Sequence, residues 1–542
     1  MAAVIVFATG PRAQRPTTPP SPSPPTVRGA FHIHTTRSDG ALDKAAVAQQ
    51  ARRAGLQFAI FTDHGDGTQP PDPPEYIDGV LCLDGVEIST NGGHYIALEL
   101  PAAPYRLGGD ADAVAEDVAR LGGFGVAAHP GSLRTELAWH DWSVPFDALE
   151  WLNSDSEWRD EGRFQLTRTL IDYFWRPAGA LASVFDRPVS TLAMWDQLAA
   201  TRRVLALAGH DAHGGVGIET GGAPGRRFHL PSYEATFRTF SVNVLLSQAP
   251  TGNAREDGEV LLRAIRDGRV FTVVDAIASP GALDFTASAG GTNVTSGGVL
   301  PTDVGRAKFV ATGQVPAGAT IVLLHDGRAI AESTTGRLEH SAAGPGAYRV
   351  EVRVGGSPGT PPVPWLVSNP IFRFSPAVPR PASATQTPMP APAPVLSEQA
   401  WHAEAGEGSS AKSLVGGGGV TLDYMLKSGP EVSQFAALAG DLPAGGDDAT
   451  LMAFRGHSAQ PMRLSIQVRF AQDGGHRWRT SVYLDREERQ FVLPIERFRP
   501  AEPNTTRPPM ARATSVLFVV DLTNAIPGAQ GSFTVRDVML AK

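Results

Sequence analysis

The chain has one cysteine, Cys82, in 542 residues. No intrachain disulfide can form, and a structural zinc site built on thiolates is excluded. A lone thiol suits the cytosol and also an exported bacterial protein, so cysteine usage leaves the compartment open. Long hydrophobic runs are missing too. The apolar run near the start, Ala2-Ala3-Val4-Ile5-Val6-Phe7-Ala8, is too short to cross a bilayer, and no basic residues precede it. With the Pro/Thr/Ser tract from Pro11 to Pro25 behind it, this run reads as a clipped secretory signal, with a disordered tail as the alternative, and export to the periplasm or beyond the cell is expected. Clusters of Lys and Arg are lacking, and a net charge of −8 argues against a phosphate backbone as partner. Neither a nucleic-acid role nor a transmembrane segment is expected.

What is present is globular: 42% hydrophobic and 19% charged residues, with 58 Gly and 45 Pro that suggest linkers and β-rich modules. The length implies roughly two to four domains. After a signal-like segment and Pro-rich linker (1–26), residues 27–278 alternate short apolar strand candidates with Ala-rich helical stretches such as Asp43 to Ala54 and Asp110 to Leu121. Seven strand ends can be counted, around His34, Asp63, Glu87, Leu98, His129, Asn153 and Asp211. Polar residues delivered repeatedly where a strand stops point to a barrel-like α/β enzyme with its chemistry on the carboxyl face. Ser154 to Thr201 reads as a helical insertion whose Trp158, Phe164, Leu170, Phe174 and Trp175 recur at roughly helical spacing, as in a packed cover or lid, with direct aromatic contact with substrate as the alternative. Residues 283–375 alternate like a small β-sandwich, 376–396 form a Pro/Ala linker, and 397–542 alternate again like a jelly-roll-sized sandwich. The expected fold is therefore a distorted (β/α)7 barrel followed by two all-β sandwich domains.

His32-Ile33-His34, Thr62-Asp63-His64, Glu87, His94, His129 and Asp211-Ala212-His213 bring imidazoles and carboxylates to these strand ends. Such donors suit zinc, manganese or iron. In a strand, residues i and i+2 share a face, so His32 and His34 should point together, as should Asp211 and His213. Several cations packed together need an anion between them, and Glu87 is the best-placed bridge. His210 reads as a further group near the ions or as a packed imidazole, and Asp63 as a partner that orients a bound imidazole. Glu150 and Asn153 are candidates for substrate contact or for strand-terminal hydrogen bonds. Arg134 is a candidate for phosphate contact or an ordinary surface residue.

The segments His32-Ile33-His34-Thr35-Thr36-Arg37-Ser38-Asp39-Gly40, Phe61-Thr62-Asp63-His64, Gly85-Val86-Glu87, His94, Ala128-His129-Pro130 and Gly209-His210-Asp211-Ala212-His213 resemble, in order, the motifs of the polymerase and histidinol phosphatase (PHP) domain. The resemblance covers about residues 27–275 and implies a distorted seven-stranded barrel with a trinuclear site. It implies a first metal on His32, His34, Glu87 and Asp211, a second on Glu87, His94 and His129, and a third on Asp39, His64 and His213. Some relatives carry His where Asp39 stands, and a small residue is common where this chain has His210. The last domain is similar to galactose-binding-like modules through Phe518-Val519-Val520-Asp521 and Gly531-Ser532-Phe533-Thr534-Val535, and is a candidate for docking to a surface or a carbohydrate.

Two or three divalent ions would make a hydroxide from a shared water, with Asp211 or His213 carrying protons. The function expected is a metal-dependent phosphoesterase acting on a small-molecule or polymer-linked ester. An ester, amide or carbamate hydrolase on the same centre is the alternative, and a non-catalytic binding protein a second one.

Overall fold

A computed structural model describes residues 25–159, 162–219, 227–374, 400–429, 434–442, 449–470, 476–501 and 506–541. The signal-like segment, but for Pro25 and Thr26, and the Pro/Ala linker lie outside these residues. The chain divides into two units. The first takes in Met1–Gly65, Pro71–Pro101 and Gly122–Arg380, and the second Asp66–Pro70, Ala102–Leu121 and Pro381–Lys542.

The elements that bear on the site are, in chain order, β1 (Thr26–Phe31), α1 (Lys44–Arg53), β2 (Phe58–Phe61), β3 (Val80–Thr90), β4 (Gly93–Leu98), α2 (Ala111–Arg120, in the second unit), β5 (Phe124–Ala127), β6 (Ala148–Asn153), α3 (Ser154–Arg159), α4 (Arg163–Tyr173), α5 (Pro177–Ala182), α6 (Val189–Ala199), β7 (Leu205–Gly209), α7 (Tyr233–Phe237), β8 (Ser241–Leu245), α8 (Ala254–Arg266) and β9 (Val270–Val273). Helix starts follow the local chemistry. Asp43 accepts a hydrogen bond from the Ala46 amide, and the Asn253 side chain caps Arg255 and Glu256.

The main sheet of the first unit runs β9-β8-β1-β2-β3-β4-β5-β6-β7. β1, β2 and β3 pair in parallel, as do β5, β6 and β7, while β4 joins the two groups antiparallel to both neighbours. β2, β5 and β7 are buried along their whole length, which suits their unbroken apolar sequences Phe-Ala-Ile-Phe, Phe-Gly-Val-Ala and Leu-Ala-Leu-Ala-Gly. β3 changes partner midway, pairing with β2 through Asp84 and with β4 from Gly85 onward. Glycine suits that switch, because a Cβ on Gly85 would lie 2.9 Å from the Ala97 carbonyl oxygen as well as 2.6 Å from a Leu98 methyl carbon. Beyond β7 the chain bonds back to the chain beyond β1: His210 N–H donates to Phe31 O at 2.8 Å and His34 N–H to Ala212 O at 3.0 Å.

Past β9 the same sheet continues through strands Leu366–Ser368, Gly346–Arg353, Thr320–His325 and Arg328–Ser333, and a separate four-stranded sheet contains Ala282–Ala289 and Ala307–Gln314. Trp365 Nε1 donates to Ala278 O at 2.9 Å, and Asn369 exchanges two hydrogen bonds with the Ala206 backbone. The all-β stretch after residue 280 is thus hydrogen-bonded to the α/β sheet.

Within the insertion, the packed cover expected of the aromatic residues is not found for most of them. Phe164, Phe174 and Trp175 are 85%, 65% and 83% exposed. Among the described residues of α4 only Thr169 and Tyr173 are buried, so this helix is held by a stripe one residue wide.

The second unit contains a six-stranded and a five-stranded antiparallel sheet, with Leu422, Phe454, Leu464, Ile466, Phe518 and Phe533 in the core. Trp401 belongs to that core and Trp478 packs against it. Alternate residues of strand Met462–Phe470 turn away from the core, and one of them, Arg463, is buried against α2. Its guanidinium donates to Asp117 Oδ1 at 2.6 Å and to Ala113 O at 3.3 Å. Arg120 lies 3.6 Å over the Tyr483 ring, and Asn524 Nδ2 donates to Arg106 O at 3.0 Å. Segment 102–121 thus covers part of the outer face of this sheet.

Candidate metal centre

The ligand candidates are brought together on one edge of the first unit's sheet. His32 and His34 follow β1, His64 follows β2, Glu87 lies in the second half of β3, His94 near the start of antiparallel β4, His129 just beyond β5, and Asp211 and His213 just beyond β7. The antiparallel turn of β4 is what returns His94 to the edge where the parallel strands stop. The strand-face argument for His32 and His34 is not the geometry that joins them, because β1 ends at Phe31 and His32 takes a left-handed backbone, φ 65°. His129 (φ 29°) and Asp211 (φ 47°) are left-handed as well. Non-glycine residues occupy that region at a cost of about 1 to 3 kcal/mol each, and such strain collects at functional sites.

Glu87 is the centre of the cluster. Its Oε1 lies 2.8 Å from both His94 Nδ1 and His129 Nε2. Its Oε2 lies 3.2, 3.1 and 3.3 Å from His32 Nε2, His34 Nε2 and His64 Nδ1. Asp211 Oδ1 stands 3.3 and 3.4 Å from the same His32 and His34 nitrogens. Farther out, Asp39 faces His213 Nε2 at 3.3 Å and His64 Nε2 at 3.6 Å. These nine residues form four overlapping groups of ligand geometry: His32, His34 and Asp211; His32, Glu87 and His129; His64, Glu87 and His94; and His34, Asp39, His64 and His213. The inner ligands are buried, Asp211 least so with its side chain 9% exposed, whereas the Asp39, His64 and His213 side chains are 56%, 34% and 28% exposed. The outer group is the open side of the site.

The electrostatics follow from packing three carboxylates among six imidazoles. Burial opposes charge on His32, but Asp211, Glu150 and Glu87 raise its pKa well above the usual imidazole range. Burial is likewise outweighed at His34, where Asp211 and Glu87 raise the pKa to about 9. Burial would also neutralise Glu87 and Asp211, yet the surrounding imidazoles, His32 foremost, hold both far below the ordinary carboxylate range. Hydrogen bonds from His213 and His64 do the same for Asp39. A divalent cation satisfies this donor set. His34 Nε2 is buried without a hydrogen bond although two carboxylates stand near it, as expected of a lone pair aimed at a point between ligands.

Around the ligands, Asp63 does not reach the His64 ring; it accepts hydrogen bonds from Thr35 N–H (2.7 Å), Thr35 Oγ1 (2.8 Å) and Ser38 Oγ (2.6 Å), shaping the loop that carries Asp39. Glu150 and Asn153 are buried at the cluster. Asn153 Nδ2 donates to Glu150 Oε2 at 2.9 Å and approaches Asp211 Oδ2 at 3.4 Å. His210 is packed, stacked on Phe240 at 4.1 Å with Nε2 3.1 Å from Phe240 O, and burial pushes its pKa down to about 4. The Arg134 side chain is exposed, and among the described residues no ion pair joins it to the cluster.

Three further residues serve the site that the motif reading passed over. Tyr233 OH donates to His34 O at 2.8 Å and accepts from Ala41 N–H at 3.2 Å. Ser38 Oγ lies 3.3 Å from His34 Nδ1. Gly209 must be glycine, because a Cβ there would sit 1.7 Å from Glu150 Oε1. Tyr233 carried no sequence signal, being remote from every motif, whereas a glycine directly before His210-Asp211 could have suggested a close approach.

No protein-family profile and no curated protein matches this chain. Solved structures similar to it include a two-domain protein from Bacteroides vulgatus containing a predicted PHP-like metal-dependent phosphoesterase, 12% identical, covering 67% of this chain and 100% of its own, with a TM-score of 0.29. Another, from Bifidobacterium adolescentis and provisionally described as a metal-dependent phosphoesterase, is 15% identical over 38% of this chain and 94% of its own, TM-score 0.23. A family 11 carbohydrate-binding module from Clostridium thermocellum, solved with a tetrasaccharide, is 17% identical over 26% of this chain and 88% of its own, TM-score 0.22. Identities and scores this low carry no inference about activity or ligand.

Proposed function

We propose that this chain is a metal-dependent hydrolase of the PHP type acting on phosphate esters. The observation that carries the reading is Glu87: both oxygens of one buried carboxylate are shared among five imidazoles, an arrangement that calls for cations on either side of it. The return hydrogen bonds that His210 N–H gives to Phe31 O and His34 N–H gives to Ala212 O support a sheet closed into a barrel, with the cluster at its mouth. His32, His34 and Asp211 would hold one ion, His94 and His129 a second, with Glu87 between them, and Asp39, His64 and His213 a third.

Two or three bound divalent ions, zinc, manganese or iron, would supply hydroxide from a shared water near neutral pH and offset the charge of a phosphoryl group. The protein's own part is to place that chemistry at the exposed edge. His213, with Nδ1 2.9 Å from Asp211 O and Nε2 toward Asp39 on the open side, would pass a proton to a leaving group through Nε2 when only two ions are bound, and would hold the third ion through that nitrogen otherwise. Asp211 is buried within the cluster and is better suited to holding an ion than to exchanging protons with solvent.

A second reading, hydrolysis of an ester, amide or carbamate with an apolar group, is favoured by one observation. The exposed Phe174 and Trp175 directly follow Tyr173, whose hydroxyl accepts from the Ser232 N–H at 2.9 Å, and Tyr233, next to Ser232, donates to the His34 carbonyl. The aromatic surface is therefore tied to a ligand loop. Steady-state assays of the manganese- or zinc-loaded protein on phosphomonoesters, phosphodiesters, carboxyl esters and carbamates decide between the readings. Phosphoesters are expected to have the highest kcat/KM. Faster carbamate or carboxyl ester turnover would overturn that choice, and metal binding with no turnover of any ester would favour a binding protein.

A further inference from the structure

Glu150 stands apart from the nine ligand candidates, yet it touches more of them than any surface or substrate role requires. Its carboxylate is 1% exposed and both oxygens are used. Oε1 accepts from His32 Nδ1 at 2.7 Å, and Oε2 accepts from the His129 backbone N–H at 2.7 Å and from Asn153 Nδ2 at 2.9 Å. Because a carboxylate only accepts, Nδ1 of His32 must carry a proton, so once an ion displaces the proton on the other nitrogen the lone pair lies on Nε2, facing Glu87 and Asp211. The same group anchors the amide of His129 where its backbone is left-handed, and through Asn153 it reaches Asp211.

We infer that Glu150 is the positioning residue of the metal centre: it selects the metal-binding tautomer of His32 and holds the His129 backbone in place. This rests on the metal-hydrolase reading above. The room for it is built into the chain, since the missing side chain of Gly209 leaves the space that Oε1 fills. The demand on position 150 is chemical as well as steric. Three N–H donors converge on it, so an amide of the same shape must turn its NH2 toward at least one of them. Facing His32, that NH2 would select the other tautomer, whose Nε2–H hydrogen-bonds Glu87 or Asp211 and no longer offers a lone pair to an ion. Facing His129 and Asn153, it would push the His129 amide away.

The test is Glu150→Gln in the full chain, read by zinc and manganese affinity from chelator competition, by elemental analysis, and by 15N-histidine NMR of the ring tautomer. The expected result is metal affinity about 10- to 100-fold weaker, in the range found when groups that orient bound imidazoles are removed. In its neutral form the His32 ring should move to the Nε2–H tautomer, or the His129 amide resonance should shift if the NH2 turns that way, while thermal unfolding of the metal-free protein should change little. A purely structural role predicts the reverse, a large loss of metal-free stability with unchanged affinity per folded molecule. Gly209→Ala, which crowds the same oxygen, should weaken affinity in the same direction. Wild-type metal binding with equal affinity in Glu150→Gln would overturn the inference and leave the hydrolase reading standing. A wild-type chain that binds neither metal would overturn both.

Discussion

Two of the regions in which this protein buries carboxylates neutralise them by different means. In the second unit Asp117, 2% exposed, accepts from Arg463, Arg120 and Tyr105, so the chain supplies its own permanent cations. In the first unit Glu87 and Asp211 are surrounded by imidazoles, which carry charge only when protonated and which lose their lone pairs when they do. The first arrangement is complete in itself. The second is an incomplete one, stable without metal only through protons that a divalent ion would displace. A guanidinium closes a site; a set of imidazoles leaves it ready for an ion.

The largest effect that would break this comparison is expected from Glu87→Gln. Removing the anion between the proposed ions should lower turnover by roughly a thousandfold or more and reduce metal stoichiometry, with the fold retained by circular dichroism. Near-normal activity at saturating metal would show that Glu87 bridges nothing. Next in size is Arg463→Met. It leaves Asp117 buried beside Glu116 without its main cation, and urea unfolding should show a loss of about 3 to 5 kcal/mol. The double variant Arg463→Met with Asp117→Asn should recover part of that loss, and no recovery would mean that packing rather than charge was at stake.

The third prediction separates the two regions by pH. In the chelated protein His34 binds its proton more tightly folded than unfolded, so the stabilisation is whole below about pH 6.5 and is lost as pH rises through about 9. The loss should be on the order of 3 kcal/mol, and added zinc should abolish it because ligation needs the deprotonated ring. The Arg463 clamp should add no slope in this range, since burial is outweighed by Asp117 and Glu116 and the guanidinium stays charged. Metal-free stability that is flat from pH 6.5 to 9 would contradict the picture of a proton-held cluster. The smallest effect is expected from Phe174→Ser with Trp175→Ser, outside both regions: less than about a twofold change on small phosphoesters. A much larger loss on aryl esters alone would move the choice of substrate toward the second reading.

The ligands were legible in the sequence because metal chemistry restricts residue type and strand ends restrict placement: His32, His34, His64, His129, Asp211 and His213 each follow a short apolar run. The supporting groups were legible only in part. Glu150 stood out as a polar residue at a strand end, but its partner His32 lies 118 positions away and Tyr233 lies 199 positions from His34, and no local pattern marks a hydrogen bond across such a separation. The reading of His32 and His34 as neighbours on a strand face reached the right proximity by the wrong geometry, since a left-handed residue leaves no periodic trace. The expected burial of Phe164, Phe174 and Trp175 failed for a related reason: helical spacing predicts an apolar stripe, but what covers that stripe is decided elsewhere in the chain. The carbohydrate-docking expectation for the last domain is narrowed, because α2 covers part of the outer face of its six-stranded sheet.

The pairing of α2 with Arg463 also sets a timetable for biosynthesis. Asp117 is translated 346 residues before the arginine that neutralises it. At about 5 to 20 residues per second the helix waits roughly 20 to 70 seconds on the ribosome for its partner strand. Strands β4 and β5, which flank it in sequence and pair with each other, are complete long before then. During that interval α2 is a tethered loop with an unmatched acidic, apolar face, and a ribosome that stalls before residue 463 leaves it so.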